Sequence, residues 1–296
     1  MNAQSHTVRV ASVQFAARHT ASPEEFFSRV AHFVRVASEY GSDFVCFPEH
    51  FTLQILSGEP RMLAPSDAIA RLTELTPVLE DRLSALARKH AVNIVGGSHA
   101  TRTGDGETRN VAYVALRDGS LHARHKLHPT PDEKSLWGIS GGNSAEPVET
   151  DCGSVGVMIC YDSEFPELAR HLTDAGAKLF FVPYCTDTRH GHFRVRYCCH
   201  ARTVENQCYV VTAGLVGNVE NVANLDINHA QSAILTPSDH PFARDGIAAE
   251  ATENVETMIF ADLDMGRLDA ARVNGSVRNL HDRRPELYRV EWTTDG

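Results

Sequence analysis

The chain has 296 residues, 42% of them hydrophobic and 22% charged, an ordinary globular composition with enough apolar residues for one large core or two smaller ones. Its formal net charge of −10, offset by no basic patch, disfavours nonspecific binding to nucleic acid or anionic membrane. No stretch approaches the roughly 18 apolar residues of a membrane helix, MNAQSHTVRV carries no apolar leader, and the seven cysteines form no regular framework, so a reducing cytoplasm is the expected setting.

In chain order, Val8 to Phe15 reads as a first strand, and Ser22-Pro23-Glu24-Glu25 has the capping-box spacing that opens a helix. Phe26, Phe27, Val30, Phe33, Val34 and Ala37 give that helix one apolar face, and Gly41 stops it. The short strand Asp43 to Phe47 ends in Pro48-Glu49-His50-Phe51, which leaves Glu49 just past a buried strand end, where open α/β sheets build their sites. Residues 50 to 65 show no period and are expected to form a loop over that edge. A helix from Thr76-Pro77 and a strand from Val92 to Gly97 follow. Val111 to Leu116 and Ser120 to His125, joined through Asp118-Gly119, make a hairpin, because Asp-Gly tolerates the positive φ of a tight turn. The chain emerges at Lys126 into KLHPTPDEKSLWGISGG, an aperiodic loop that also holds Glu133.

Val155, Val157 and Ile159 read as a strand that stops at Cys160. Tyr161, Asp162, Ser163 and Glu164 form a polar turn, and Phe165-Pro166-Glu167-Leu168 opens a helix with proline in its first turn. Cys160 thus stands at a strand-to-helix elbow, which lifts a nucleophile clear of a sheet and aims backbone N–H groups at the oxygen under attack. A buried structural cysteine fits this stretch equally well, because a thiol nucleophile also needs a base and a cation from elsewhere. Lys178 to Pro183, a helix from Arg194 to Asn206, Cys208 to Ala213, and strands near Ala230 to Leu235 and Met258 to Leu263 complete the pattern; the tail after Asn274 is polar and irregular. No linker or repeat divides this alternation, so one domain over 1–296 is expected, with helices packed outside a sheet.

Glu49, Lys126 and Cys160 match in type and order the Glu-Lys-Cys set of the nitrilase, or carbon–nitrogen hydrolase, superfamily. FPE around Glu49, HKLH around Lys126, CYDSEFPELAR around Cys160 and ARTVENQCYVV from Ala201 also resemble that family's signatures, over a span from Val8 to about Leu263. The resemblance implies a four-layer αββα sandwich, with two sheets face to face and helices outside, and subunits paired through helices as a homodimer or higher homo-oligomer. It implies Glu49 as general base, Lys126 as the cation beside the substrate carbonyl oxygen, Cys160 as nucleophile, and Glu133 as the second glutamate that orients the lysine or the leaving group. The Tyr161 backbone N–H would join Lys126 at the oxyanion. A nearby cation and elbow N–H groups favour a Cys160 thiolate, with Glu49 pulling the other way.

The substrate implied is a small amide or carbamoyl amine that forms a thioester on Cys160, with no cofactor and no metal; nitrile hydrolysis by the same residues, or a silent binding module of the same fold, is the alternative. The resembling branch is a less characterised one, sometimes fused to an acetyltransferase domain. Many relatives carry an arginine where this elbow has Ser163-Glu164, so Glu164 favours a neutral or cationic substrate unless Arg194 or Arg196 compensates. Cys185, His190, His192, Cys198, Cys199 and His200 are dense in soft ligands, but three of them are consecutive on a helix and no C-x-x-C pair exists, which argues against zinc.

Overall fold

The computed structural model describes residues 6–293; residues 1–5, where no apolar leader was expected, and 294–296, the last of the tail expected to be irregular, lie outside the described residues. The first half runs β1 (Thr7–Ala17), α1 (Pro23–Glu39), β2 (Phe44–Cys46), α2 (Pro65–Thr73), α3 (Thr76–His90), β3 (Asn93–Val95), β4 (His99–Arg102), β5 (Thr108–Ala115), β6 (Leu121–His125) and the short α4 (Pro131–Ser135). The second runs β7 (Val148–Thr150), β8 (Gly153–Val157), α5 (Pro166–Asp174), β9 (Leu179–Tyr184), α6 (Arg189–Asn206), β10 (Tyr209–Gly217), β11 (Ala233–Leu235), β12 (Ile247–Glu250), β13 (Thr257–Asp264) and α7 (Met265–Asn274). No helix among the described residues is long and apolar enough to cross a membrane.

The strands form two sheets that meet along one seam. One has the order β4-β5-β3-β2-β1, with β13 antiparallel to β1 and β6 on β5. The other has the order β10-β9-β8-β7, with β11 and β12 off β10. The seam is short: Phe15, Ala16 and Ala17 pair in parallel with Leu215, Val216 and Gly217.

Side-chain alternation along the strands sorts the apolar residues into layers. Val10, Phe44 and Cys46 meet Leu179, Phe181 and Val211 in one core between the sheets, with the Phe44 and Phe181 rings 5.1 Å apart. Their neighbours Ala11 and Val45 face outward onto α1, α2 and α3, whereas Phe180, Val182 and Val210 face outward onto α5 and α6. Two outer cores and one inner core make the expected helix–sheet–sheet–helix stack.

Most element starts follow the local chemistry read from the sequence. Ser22 caps α1 by accepting the Glu25 N–H at 3.3 Å, although the Glu25 carboxylate reaches back to the Ala21 N–H and not to that of Ser22. The expected loop after Glu49 is instead a 3-10 segment, Phe51–Gly58, followed by α2. Residues 51–57 are buried all round, so no amphipathic period was there to read; Gln54 and Ser57 satisfy the Phe51 and Gln54 carbonyls, both at 2.7 Å. The expected loop after Lys126 likewise contains α4, and α6 starts five residues ahead of Arg194, capped by Thr188. The described tail after Asn274 is irregular as expected, and α7 before it is opened by Asp264, which accepts the Arg267 N–H at 2.9 Å.

Candidate active site

Glu49 follows β2 across Pro48, and the next residue, His50, adopts φ +54. In an extended strand, successive side chains would point to opposite faces. The left-handed turn breaks that alternation, so Glu49 and His50 reach the same buried cluster. Gly97 makes room for the turn: it has φ +59, and a Cβ there would stand 2.0 Å from the Pro48 carbonyl oxygen. Lys126 leaves β6 with its own N–H on the Asn110 carbonyl at 2.8 Å. Glu133 is the third residue of α4, where Thr130 and Glu133 form a reciprocal capping box.

These side chains converge out of reach of solvent: Glu49 is 2% exposed, Lys126 1%, Glu133 3% and Cys160 5%. The Lys126 Nζ donates to Glu49 Oε1 at 2.8 Å and to Glu133 Oε2 at 2.5 Å. Asn110 Nδ2 bridges the two carboxylates at 2.9 Å each, and the Cys185 backbone N–H reaches Glu49 Oε2 at 3.0 Å. Burial pushes the Lys126 ammonium toward its neutral form, but Glu133 and Glu49 outweigh it and hold the pKa well above the usual lysine range. Burial likewise works against a charged Glu133, yet Lys126 and His50 hold its carboxyl well below the usual range.

Cys160 opens a 3-10 turn, Cys160–Glu164, after β8 and carries φ +49, a conformation that costs a non-glycine residue about 1 kcal/mol. Pro166 begins α5 as expected. Asp162 ties this elbow to the lysine loop by accepting the Ile159 N–H at 3.1 Å, the His128 N–H at 2.9 Å and the His128 ring Nδ1 at 2.8 Å. Ser163 Oγ donates to the Cys160 carbonyl at 2.7 Å, and Arg202 on α6 donates from Nε to the Ser163 carbonyl at 3.1 Å. The Ala201-to-Val211 signature therefore braces the elbow from behind. The expectation of a favoured thiolate is corrected here: burial first and then Glu49 raise the Cys160 pKa, and Lys126 offsets them only in part. The sulfur rests 3.8 Å from the Cys185 carbonyl.

The site thus sets a buried acid–lysine pair beside an elbow thiol, drawn from both sheets. The profile of the carbon-nitrogen hydrolase family matches residues 9–273. This chain belongs to that family. The "Probable hydrolase YhcX" of Bacillus subtilis is 46% identical over 286 residues, which are 96% of this chain, and the chain spans only 55% of that protein's length. The "Omega-amidase NIT2" of Xenopus tropicalis is 29% identical over 291 residues, covering 96% of this chain and 97% of that one. Among solved structures, Saccharomyces cerevisiae Nit3, a member of branch 10 of the nitrilase superfamily, superposes with a TM-score of 0.77 at 24% identity, covering 94% of this chain and 97% of that one. That likeness carries the fold.

In this carbon-nitrogen hydrolase the sequence left several partners unnamed. Asn110, His50, Asp162 and the Cys185 N–H sit among the expected residues without having been singled out. A signal did exist for Asn110, a polar residue ahead of the apolar run of β5, where a buried amide requires partners. Nothing marked the Cys185 N–H, since a backbone donor has no signature. Tyr161 is half-buried with its ring against Phe165, 5.0 Å between centroids. Glu164 is shielded, and Arg194 Nε lies 3.6 Å from its Oε1. Burial raises the Glu164 pKa and Arg194 pulls it back. Arg196 turns the other way, onto Glu250 and the His200 ring.

Glu49, His50 and Glu133 bring donor atoms within 4.8 Å of one another, a spacing that suits a metal ion. The Lys126 ammonium already sits between the two carboxylates, bonding one oxygen of each and offsetting part of their charge. The six soft ligands between Cys185 and His200 form no converging group among the described residues.

Proposed function

We propose that this protein, acting as one domain in a reducing cytoplasm and as a homo-oligomer, hydrolyses a carbon–nitrogen bond of a small amide or carbamoyl amine through a thioester on Cys160. The observation that carries this reading is that Glu49 is bonded to Lys126 while both act on the buried Cys160 thiol, three groups drawn together from separate strand ends. The Cys160 sulfur attacks the carbonyl carbon as its proton passes to Glu49. Lys126 and the Tyr161 N–H stabilise the oxyanion, and one such donor typically lowers a barrier by about 3 kcal/mol. Collapse breaks the C–N bond, with the proton carried from Glu49 to the departing nitrogen. Ammonia or an amine leaves and the acyl group stays on sulfur. Water then attacks, Glu49 takes its proton, the C–S bond breaks, and the proton returns to sulfur.

Because the thiol is held protonated at rest, base and nucleophile act together and not in sequence. Glu133 keeps Lys126 aimed. Tyr161 and Glu164 line the substrate side of the elbow, with the Glu164 charge balanced by Arg194, so that the remote end of the substrate is chosen only weakly by charge. An amide, and not a nitrile, is supported by the name of the omega-amidase relative. The test is ammonia release from a panel of amides, carbamoyl amines and nitriles, with Cys160→Ala as blank. Release from amides by the wild type alone is expected; release by a folded Cys160→Ala protein would overturn the mechanism.

A further inference from the structure

Two carboxylates share one lysine, and a base is useful only if it and not its partner takes the proton. Glu133 accepts from Asn110 Nδ2 at 2.9 Å and His50 Nε2 at 3.1 Å on one oxygen, and from Lys126 Nζ at 2.5 Å and the Thr130 N–H at 2.7 Å on the other. Glu49 accepts from Lys126 at 2.8 Å and Asn110 at 2.9 Å on Oε1, and from the Cys185 N–H at 3.0 Å on Oε2. The difference between them is His50. Asn110 Nδ2 also lies 3.1 Å from His50 Nε2, but its two amide hydrogens are taken by the two carboxylates at 2.9 Å each, which leaves Nε2 to donate; Lys126 serves both carboxylates, and His50 Nε2 stands 3.1 Å from Glu133 and 3.8 Å from Glu49.

We propose that His50 is a positioning residue that donates its Nε2–H to Glu133, keeps that carboxylate anionic, and so leaves Glu49 as the one proton acceptor facing Cys160. This rests on Glu49 being the base in the reading above. The ring's other nitrogen supports the tautomer: Nδ1 is buried without a hydrogen-bond partner, which a bare lone pair tolerates better than an N–H would. The ring is also held in place. Its backbone N–H bonds Ser98 Oγ at 3.3 Å, Trp137 packs edge-on at 5.1 Å, and the left-handed turn at His50 aims it. The remaining titratable neighbour, His99 on β4, is pushed down to about 3 by burial and then by His50, and it bonds Thr52 and Thr76, so it adds no charge to the cluster.

The test is the pH dependence of Cys160 alkylation by iodoacetamide, followed by peptide mapping. Glu49 and Glu133 share Lys126 and Asn110 and take up protons as a pair, so alkylation falls on the acid side as the pair gains a proton, and losing the His50 bond lets it do so at higher pH. His50→Asn suits the left-handed turn, but its amide stops at the Nδ1 position and cannot reach Glu133. It should move the acid limb up by about one pH unit, the size expected for loss of a charge-assisted hydrogen bond. His50→Gln, whose amide reaches the Nε2 position, should bring the limb back.

An unmoved limb in folded His50→Asn would overturn the assignment, as would a downward shift. A His50→Gln protein as displaced as His50→Asn would make His50 a packing residue only. Imidazole nitrogen resonances of the wild type, with His50 assigned by its loss in His50→Gln, provide a second readout that needs no stable His50→Asn protein. A proton on Nε2 with Nδ1 bare is expected; a proton on Nδ1 would overturn the proposal. Alkylation does not depend on turnover, so failure of the hydrolase reading, seen as ammonia release, and failure of the His50 assignment are separate results.

Discussion

On one side of the site Glu133 receives hydrogen bonds from Asn110, His50, Lys126 and Thr130, while on the other the Cys160 sulfur rests in a weak contact of 3.8 Å to the Cys185 carbonyl, faces Glu49, and is positioned by its backbone. The difference teaches a division of labour. The charges that must not move are over-determined by donors, and the atom that must change partners is left free, its thiol protonated by burial and by Glu49. Asp162 joins the two sides, since its carboxylate takes N–H groups from both the elbow and the lysine loop.

The largest effect should come from breaking both sides at their reacting atoms. Cys160→Ala should lower turnover by at least about a thousandfold with the fold intact, and Glu49→Gln and Lys126→Ala nearly as far. Because the three act as one unit, a Glu49→Gln/Lys126→Ala double mutant should be little slower than either single one; a multiplicative loss in kcat would separate them. Next comes the joint. Asp162→Ala leaves the Ile159 and His128 N–H groups short of their acceptor, and should cost about 2–3 kcal/mol in urea unfolding together with a fall in kcat of about tenfold or more. An effect on stability with kcat unchanged would mean that Asp162 holds the fold and not the alignment.

A pH profile of stability sharpens the same comparison. The Glu133 carboxyl is depressed on folding, so its contribution is fully present above the unfolded value of about 4.3 and fades as pH falls toward the folded value. The Lys126 ammonium is raised, so its contribution is present below about 10.4 and fades at higher pH. Thermal unfolding should show both flanks, and Lys126→Met should remove the alkaline one. The smallest effect belongs to the substrate side. Glu164→Gln leaves Arg194, whose side chain is 64% exposed, without its partner. Screening by solvent should hold the shift in kcat/KM toward an anionic over a cationic amide to about threefold or less, measured on a matched pair of amides.

Much of this frame was legible because it is periodic. The alternation of Val10 and Ala11, or of Phe180 and Phe181, is written in the chain and becomes the division between inner and outer cores. Glu49, Lys126 and Cys160 were legible because each follows a strand end and sits in a recognisable phrase. What stayed hidden has no period or is not a side chain. Residues 51–57 are buried on every face, the Cys185 N–H is backbone, and the left-handed turns at His50 and Cys160 fall on residues that are not glycine. Arg194 and Arg196 had equal claim to Glu164 in the sequence, and only the fold of β12 toward α6, which gives Arg196 to Glu250, separates them.

The short seam between β1 and β10 has a consequence for the order in which the molecule matures. Glu49 finds Lys126 77 residues along the chain and the Cys185 N–H 136 residues along, and the second of these crosses from one sheet to the other. Contacts so distant in sequence form slowly, because the loops they close must lose their entropy before any bond repays it. The half from β1 to β6 can collapse on α1 and α3, and the half from β8 to β10 on α5 and α6, without either possessing a working site. Catalytic competence is therefore a property of the last docking step, and during refolding the return of activity marks the closing of the sandwich, after helix content has already recovered.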